Sequence, residues 1–184
     1  MRSLLLSAIA LAAPNSLKPA SFNARSLPDV SGPGSLAPRV SVSIDSAQVI
    51  PPAHAYDGFI REAARKYRLD PALIRSVMRM ESSFNPIAVS RSGAVGLMQL
   101  MPNVAEALGV DDPWDPLQNI MAGAQLLREL LDSHHGNLAL TLASYNAGPA
   151  AVASHGGTVP PFRETRNYVK RITGWIADER TASE

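Results

Sequence analysis

The chain has 184 residues, a net charge of +1, 18% charged and 5% aromatic residues. That length suits one ordinary domain, and the near-neutral balance gives no electrostatic footprint for nucleic acid, so an uncharged or mixed-charge polymer is the better partner. The absence of cysteine excludes disulfides, thiolate metal sites, a cysteine nucleophile and a lipidated N-terminal cysteine.

Arg2 followed by the apolar run Leu4 to Leu11, with small residues at Ala10 and Ala12, predicts an export signal over 1–12. The run is too short to span a bilayer as a stable helix. Residues 13–55 are predicted to be a disordered linker. Seven of the fifteen prolines precede Tyr56, but only one of the ten aromatics, Phe22. Such a stretch buries too little apolar area to offset its ordering entropy. Val40 to Ile44 alternates like a strand but has no obvious partner. Export without cysteine suits a bacterial periplasm or secretion.

A folded, all-α domain is expected over 56–180. Phe59, Ile60, Ala63, Ala64 and Tyr67 mark a first amphipathic helix. Asp70-Pro71 provides an N-cap and a proline at the first helical position, opening a helix that ends at Glu81. Pro102 opens a short helix closed by Gly109. Asp115-Pro116 starts another, carrying Leu117, Ile120, Ala124, Leu127 and Leu131 and stopping at Gly136. Asn137 caps the next, which ends at Asn146-Ala147-Gly148-Pro149. A last helix starts near Glu164 and shows Tyr168, Val169, Ile172, Trp175 and Ile176 on one side.

Glu81 falls on the same face as Leu73, Ile74, Val77 and Met78. An acid there either finds a cationic partner or leaves water while still protonated. A carboxylic acid held protonated near neutral pH is what cleavage of a glycosidic bond needs, because the leaving oxygen must receive a proton. Gly93 and Gly96 bracket a turn where the backbone must bend sharply or approach a ligand closely. Gln99, an amide among Leu97, Met98, Leu100 and Met101, needs hydrogen-bond partners if buried. Met101 reads as core and Ser90 as a turn residue. Tyr145 lies on the apolar side of its helix, so its hydroxyl needs a partner. Asn146 can terminate its helix, and Glu164 can cap the last one. His134 and His135 sit at a helix C-terminus and form no metal-ligand pattern with the other two histidines, His54 and His155.

Four blocks resemble the bacterial lytic transglycosylases with a soluble-transglycosylase (SLT) catalytic domain, relatives of goose-type lysozyme. They are Glu81-Ser82-Ser83-Phe84-Asn85-Pro86; Ser90 with Gly93-Ala94, then Gly96 to Pro102; Ala143 to Gly148; and Glu164 to Val169. They stand in the family's order over most of residues 56–176. The resemblance implies a lysozyme-like helical fold with Glu81 as the catalytic acid. It implies that Ser90 lies near the substrate's N-acetyl group, that Gln99 and Met101 line the sugar cleft, that the Tyr145 hydroxyl reaches the acid, and that Asn146 contacts the sugar. Glu164 faces the cleft in this reading, or caps its helix.

Ordinary glycosidases use two carboxylates, but no second acid accompanies Glu81 in its motif. The resemblance implies one residue acting as acid and then base on peptidoglycan. It would cut between N-acetylmuramic acid and N-acetylglucosamine and close a 1,6-anhydro ring, with no cofactor and no metal. Two other readings remain: a hydrolytic goose-type muramidase using water, and a non-catalytic peptidoglycan-binding module. A monomer without a membrane span after signal cleavage is expected, serving glycan strands. A secretion, conjugation or pilus apparatus is a candidate partner.

Overall fold

A computed structural model describes residues 52–182. The expected signal and the strand-like Val40–Ile44 segment lie outside those residues, as does the linker up to residue 51. Its last residues, Pro52–Ala55, form one helical turn, α1. Among the described residues α2 (Asp57–Tyr67), α3 (Pro71–Ser82), α4 (Pro102–Ala107), α5 (Pro116–Ser133), α6 (Leu138–Ala147), α7 (Pro149–Ser154) and α8 (Arg163–Ala182) follow. No strand is present among them; the loop between α3 and α4 holds only isolated bridges, Val89 with Val95 and Val95 with Leu100. The all-α expectation holds.

Local chemistry sets the helix ends. The side chain of Asp70 accepts from Ala72 N–H, that of Asp115 from Gln118 N–H, and that of Asn137 from Leu140 N–H. Each satisfies a donor that the helix itself leaves open. Helix α3 stops because Ser83 and Phe84 both adopt positive φ, 51° and 66°, turning the chain away immediately after Glu81. Helix α6 ends where expected, at Ala147 before Gly148-Pro149, and the short α7 that follows is an addition to the expected elements. Gly148, at φ 83°, redirects the chain, and Pro149 then opens a new one. Proline lacks only a donor that has no partner in a first turn.

Helix α3 is the buried centre. Leu73, Ile74, Val77 and Met78 are 4% exposed or less. They belong to one core with Ile60 and Ala63 of α2, Ile120 and Leu127 of α5, Leu142 of α6, and Tyr168, Ile172 and Ile176 of α8. Four such side chains contribute roughly 6–12 kcal/mol by burial. That exceeds the cost of one poorly solvated acid at the helix end. Helices α3 and α8 run in opposite directions: Tyr168 meets Glu81, while Arg180 binds Asp70 at 2.6 Å.

The α3–α4 loop is tied down by Asn119, a buried amide on α5. Its Oδ1 accepts from Met98 N–H at 2.8 Å, and its Nδ2 donates to the carbonyls of Val95 and Pro113 at 3.1 and 2.9 Å. Gly96, at φ 80°, passes so close that an added Cβ would lie 2.8 Å from the Pro113 carbonyl oxygen and collide with the Asn119 amide. The close approach at this glycine is to the protein's own Asn119 and Pro113, and not to a ligand.

Candidate active site

Glu81 is the penultimate residue of α3 and is partly open to solvent. Tyr168, 2% exposed, donates its hydroxyl hydrogen to Glu81 Oε1 at 2.6 Å. No cation pairs with Glu81 among the described residues. Burial pushes the carboxyl up to about 7; the Tyr168 hydrogen bond pulls it down, and the charge of Glu164 pushes it up. Of the two environments foreseen for this acid, the structure contains the uncompensated one.

The supporting groups come from three elements. Ser82 Oγ donates to the Leu97 carbonyl at 2.8 Å, fixing the loop to the end of α3. Tyr145 of α6 donates to the Met98 carbonyl at 2.9 Å. This corrects the expectation that its hydroxyl reaches the acid. Tyr168 makes that bond instead, because α8 packs along α3 and delivers its hydroxyl to the end of that helix. Tyr145 remains near enough that the Glu81 charge, after burial, raises its own ionisation well above the ordinary tyrosine range. Both phenols therefore stay protonated donors near neutral pH.

The other singled-out residues divide. Gln99, at φ 48°, donates from Nε2 to the carbonyls of Ala88 and Gly96 at 3.1 and 2.8 Å, so its amide hydrogens hold the loop together. Ser90 Oγ accepts from Ala94 N–H at 2.9 Å and lies 3.0 Å from Ser92 Oγ, stapling a turn. Met101 precedes α4 and packs on a second apolar cluster that includes Leu100, Val104 and Leu130. Asn146 Oδ1 accepts from Thr165 Oγ1 at 2.8 Å. Its amide nitrogen has no protein partner among the described residues. Glu164 is exposed in the first turn of α8, and its charge is felt at Glu81. It sits at the helix start, where negative charge is favoured.

Two residues of the site escaped the sequence reading. Tyr168 was assigned to the apolar side of its helix, which is true of its ring but silent about its hydroxyl. The signal was its position one turn after Glu164, on the same helix face. Thr165, 2% exposed, is named in the sequence only as part of the Glu164 to Val169 block. Of the helix-end histidines, His134 bonds Ser144 Oγ at 2.7 Å, and burial lowers its pKa. No group of three or more His, Cys, Asp or Glu able to hold a metal occurs among the described residues.

The model of the transglycosylase SLT domain matches residues 58–166, more than half of the chain. A transglycosylase of Enterobacteria phage PRD1 is 49% identical over 89 residues, covering 48% of this chain and 33% of that protein. An inactive glutamate-to-glutamine mutant of the lytic transglycosylase Slt from Pseudomonas aeruginosa superposes with a TM-score of 0.63 at 31% identity, over 67% of this chain and 23% of that one. The 70 kDa soluble lytic transglycosylase of Escherichia coli gives 0.65 at 28% identity, over 71% and 25%. A complex of the 70 kDa soluble lytic transglycosylase with bulgecin A gives 0.64 at 27% identity, over 71% and 25%. The chain thus spans a third or less of the length of these relatives. On the family match, the chain belongs to the transglycosylase SLT domain family.

Proposed function

We propose that this domain is a peptidoglycan lytic transglycosylase in which Glu81 is the single catalytic residue. The observation that carries the reading is a carboxyl group without a cationic partner, raised to about 7, and oriented by Tyr168. Such a group is protonated for much of the time at neutral pH, yet basic enough to take a proton back. In the first step the Glu81 proton passes to the glycosidic oxygen between N-acetylmuramic acid and N-acetylglucosamine, and the bond to the anomeric carbon breaks. The substrate's N-acetyl carbonyl stabilises the positive charge at that carbon. In the second step the Glu81 carboxylate removes the proton of the muramoyl 6-hydroxyl, whose oxygen bonds to the anomeric carbon. A 1,6-anhydro ring results and Glu81 is protonated again.

Supporting this reading, one structural relative is inactive as a glutamate-to-glutamine mutant. Asn146, with its amide nitrogen unused, and Glu164 at the rim are suited to contact the sugars. Ser90, Gln99 and Met101 serve the same surface mainly by shaping the loop. The place of action is outside the cytoplasm, on the wall. No helix among the described residues is long and apolar enough to cross a membrane. The phage relative makes service to an envelope-penetrating apparatus a natural role.

Glu164 supports one alternative. A carboxylate close enough to influence Glu81 is also placed to orient a water, as hydrolysis requires. Mass spectrometry of products released from purified sacculi tests the proposal. The anhydro product is lighter than the reducing sugar by one water. Finding only the reducing sugar establishes the muramidase reading, and binding without release establishes a glycan-binding module.

A further inference from the structure

Phe162 is a large apolar side chain left 45% exposed. Its carbonyl accepts from Arg166 N–H at 3.0 Å, which places it at the N-cap of α8. Serine, threonine, aspartate and asparagine favour that position, because their side chains accept from the open N–H groups of the first turn; a phenyl ring cannot. Nor does the ring join either apolar cluster of the described residues. Neither helix capping nor the core accounts for a phenylalanine here. What holds the ring is His155. The two rings meet edge to face, with centroids 5.2 Å apart and planes at 82°. His155 is itself fixed, since its Nδ1 donates to the Ala151 carbonyl at 2.7 Å. Phe162 is thus an exposed ring held in one orientation, with little freedom left to lose when a ligand covers it.

The ring stands beside the candidate active site. An N-cap side chain lies within reach of the third residue of its helix, here Thr165. Thr165 donates to Asn146 Oδ1 at 2.8 Å, and the Asn146 amide nitrogen has no protein partner among the described residues. Glu164, between Phe162 and Thr165, is near enough for its charge to act on Glu81. An aromatic face and a free amide donor therefore adjoin on one side of the acid. A pyranose ring in a glycan chain has polar edges, made of hydroxyl and amide groups, and apolar faces, made of axial C–H bonds. An amide such as Asn146 suits an edge. A flat aromatic ring suits a face, through apolar burial and weak C–H contacts with the π-system.

We propose that Phe162, held by His155, is a stacking platform for one sugar ring of the glycan strand, next to the sugar that Asn146 contacts. The identity of the polymer rests on the function proposed above. The platform binds the strand equally before and during bond cleavage, so it sets affinity and register and leaves the proton transfers to Glu81.

Calorimetric titration of full-chain Glu81→Gln with a peptide-free tetrasaccharide of alternating N-acetylglucosamine and N-acetylmuramic acid reads the site without cleavage. Adding Phe162→Ala or Phe162→Leu is expected to weaken binding by at least about fivefold, because leucine keeps the apolar bulk but has no flat face; Phe162→Tyr stays within about twofold. If the alanine variant melts, the leucine variant carries the test. Phe162→Trp places a fluorophore on the platform, and its emission should shift saturably with the sugar at the calorimetric Kd. With Glu81 intact, Phe162→Leu should raise KM on peptide-free glycan strands by at least about fivefold and leave kcat within about twofold. Parent-like binding in the alanine and leucine variants, a fivefold loss in Phe162→Tyr, emission from Phe162→Trp that ignores the sugar, or no binding by Glu81→Gln overturns the proposal. Binding that depends on Phe162 in a chain that releases no product would remove the lytic reading and leave this site. Product release with binding indifferent to Phe162 would remove only this site.

Discussion

Tyr168 Oη and Glu81 Oε1 lie 2.6 Å apart, joining two residues separated by 87 positions in the chain. The bond spans the seam between α3 and α8. It gives the acid a fixed orientation without neutralising it. A phenol held protonated by its own burial is suited to that task, because it stabilises the ionised acid modestly where an arginine would hold it ionised throughout.

Glu81→Gln is expected to lower product release by at least about a hundredfold, the scale of a lost general acid. The fold should survive, since glutamine keeps the shape and can still accept from Tyr168. Muropeptide release and circular dichroism check the two halves separately.

The same variant carries a stability signature. Glu81 titrates at about 7 in the folded chain, against an ordinary 4.5. Below about pH 4.5 the acid is protonated whether folded or unfolded, and burial carries no ionic penalty. As pH rises, the unfolded chain ionises first and is favoured; the penalty is complete above about 7, on the order of 3 kcal/mol. Relative to the parent, Glu81→Gln should therefore gain stability from pH 5 to 8, read as a growing difference in Tm.

Tyr168→Phe removes the hydrogen bond that pulls the Glu81 pKa down. That pKa should rise further, so the alkaline limb of the pH–rate profile moves to higher pH, and the rate falls because the acid is no longer oriented. Tyr145→Phe is the control: its hydroxyl serves the Met98 carbonyl. It should lower stability by about 1 kcal/mol and weaken activity without moving the limb. A kcat/KM profile against pH separates the two tyrosines.

Thr165→Val removes the donor that holds Asn146 Oδ1 and leaves that amide free to rotate. A several-fold rise in KM with a smaller change in kcat is expected, and Thr165→Ser should restore the parent value. Steady-state kinetics on a defined glycan oligomer reads the split.

Gly96→Ala forces a side chain against the Asn119 amide and the Pro113 carbonyl, at a φ of 80°. A loss of roughly 2–4 kcal/mol is expected, visible in a urea melt. Activity should fall with it, since the loop carrying Met98 and Gln99 moves. Asn119, with its three hydrogen bonds, is the residue whose displacement would show the same effect.

Asp70-Pro71, Asp115-Pro116 and Asn137 marked three helix starts in the sequence, because a cap and the first turn are decided by residues within three positions of each other. Periodicity marked the buried face of α3 for the same reason, and with it the apolar setting of Glu81. The end of α6 at Asn146-Ala147-Gly148-Pro149 was legible, but the short α7 was not, because Gly148 caps both helices and only the path of the chain there shows that Pro149 opens a new one. Which tyrosine meets the acid was beyond local reading: Tyr145 and Tyr168 both lie on apolar faces of helices, and the choice depends on how α8 packs along α3. Gln99 illustrates the same limit, since its partners Ala88 and Gly96 become neighbours only when the loop closes on Asn119. Short-range sterics and hydrogen bonding thus determined the helices and the acid. Packing between distant segments decided the acid's partner and the charge that surrounds it, because those energies exist only once the helices have met.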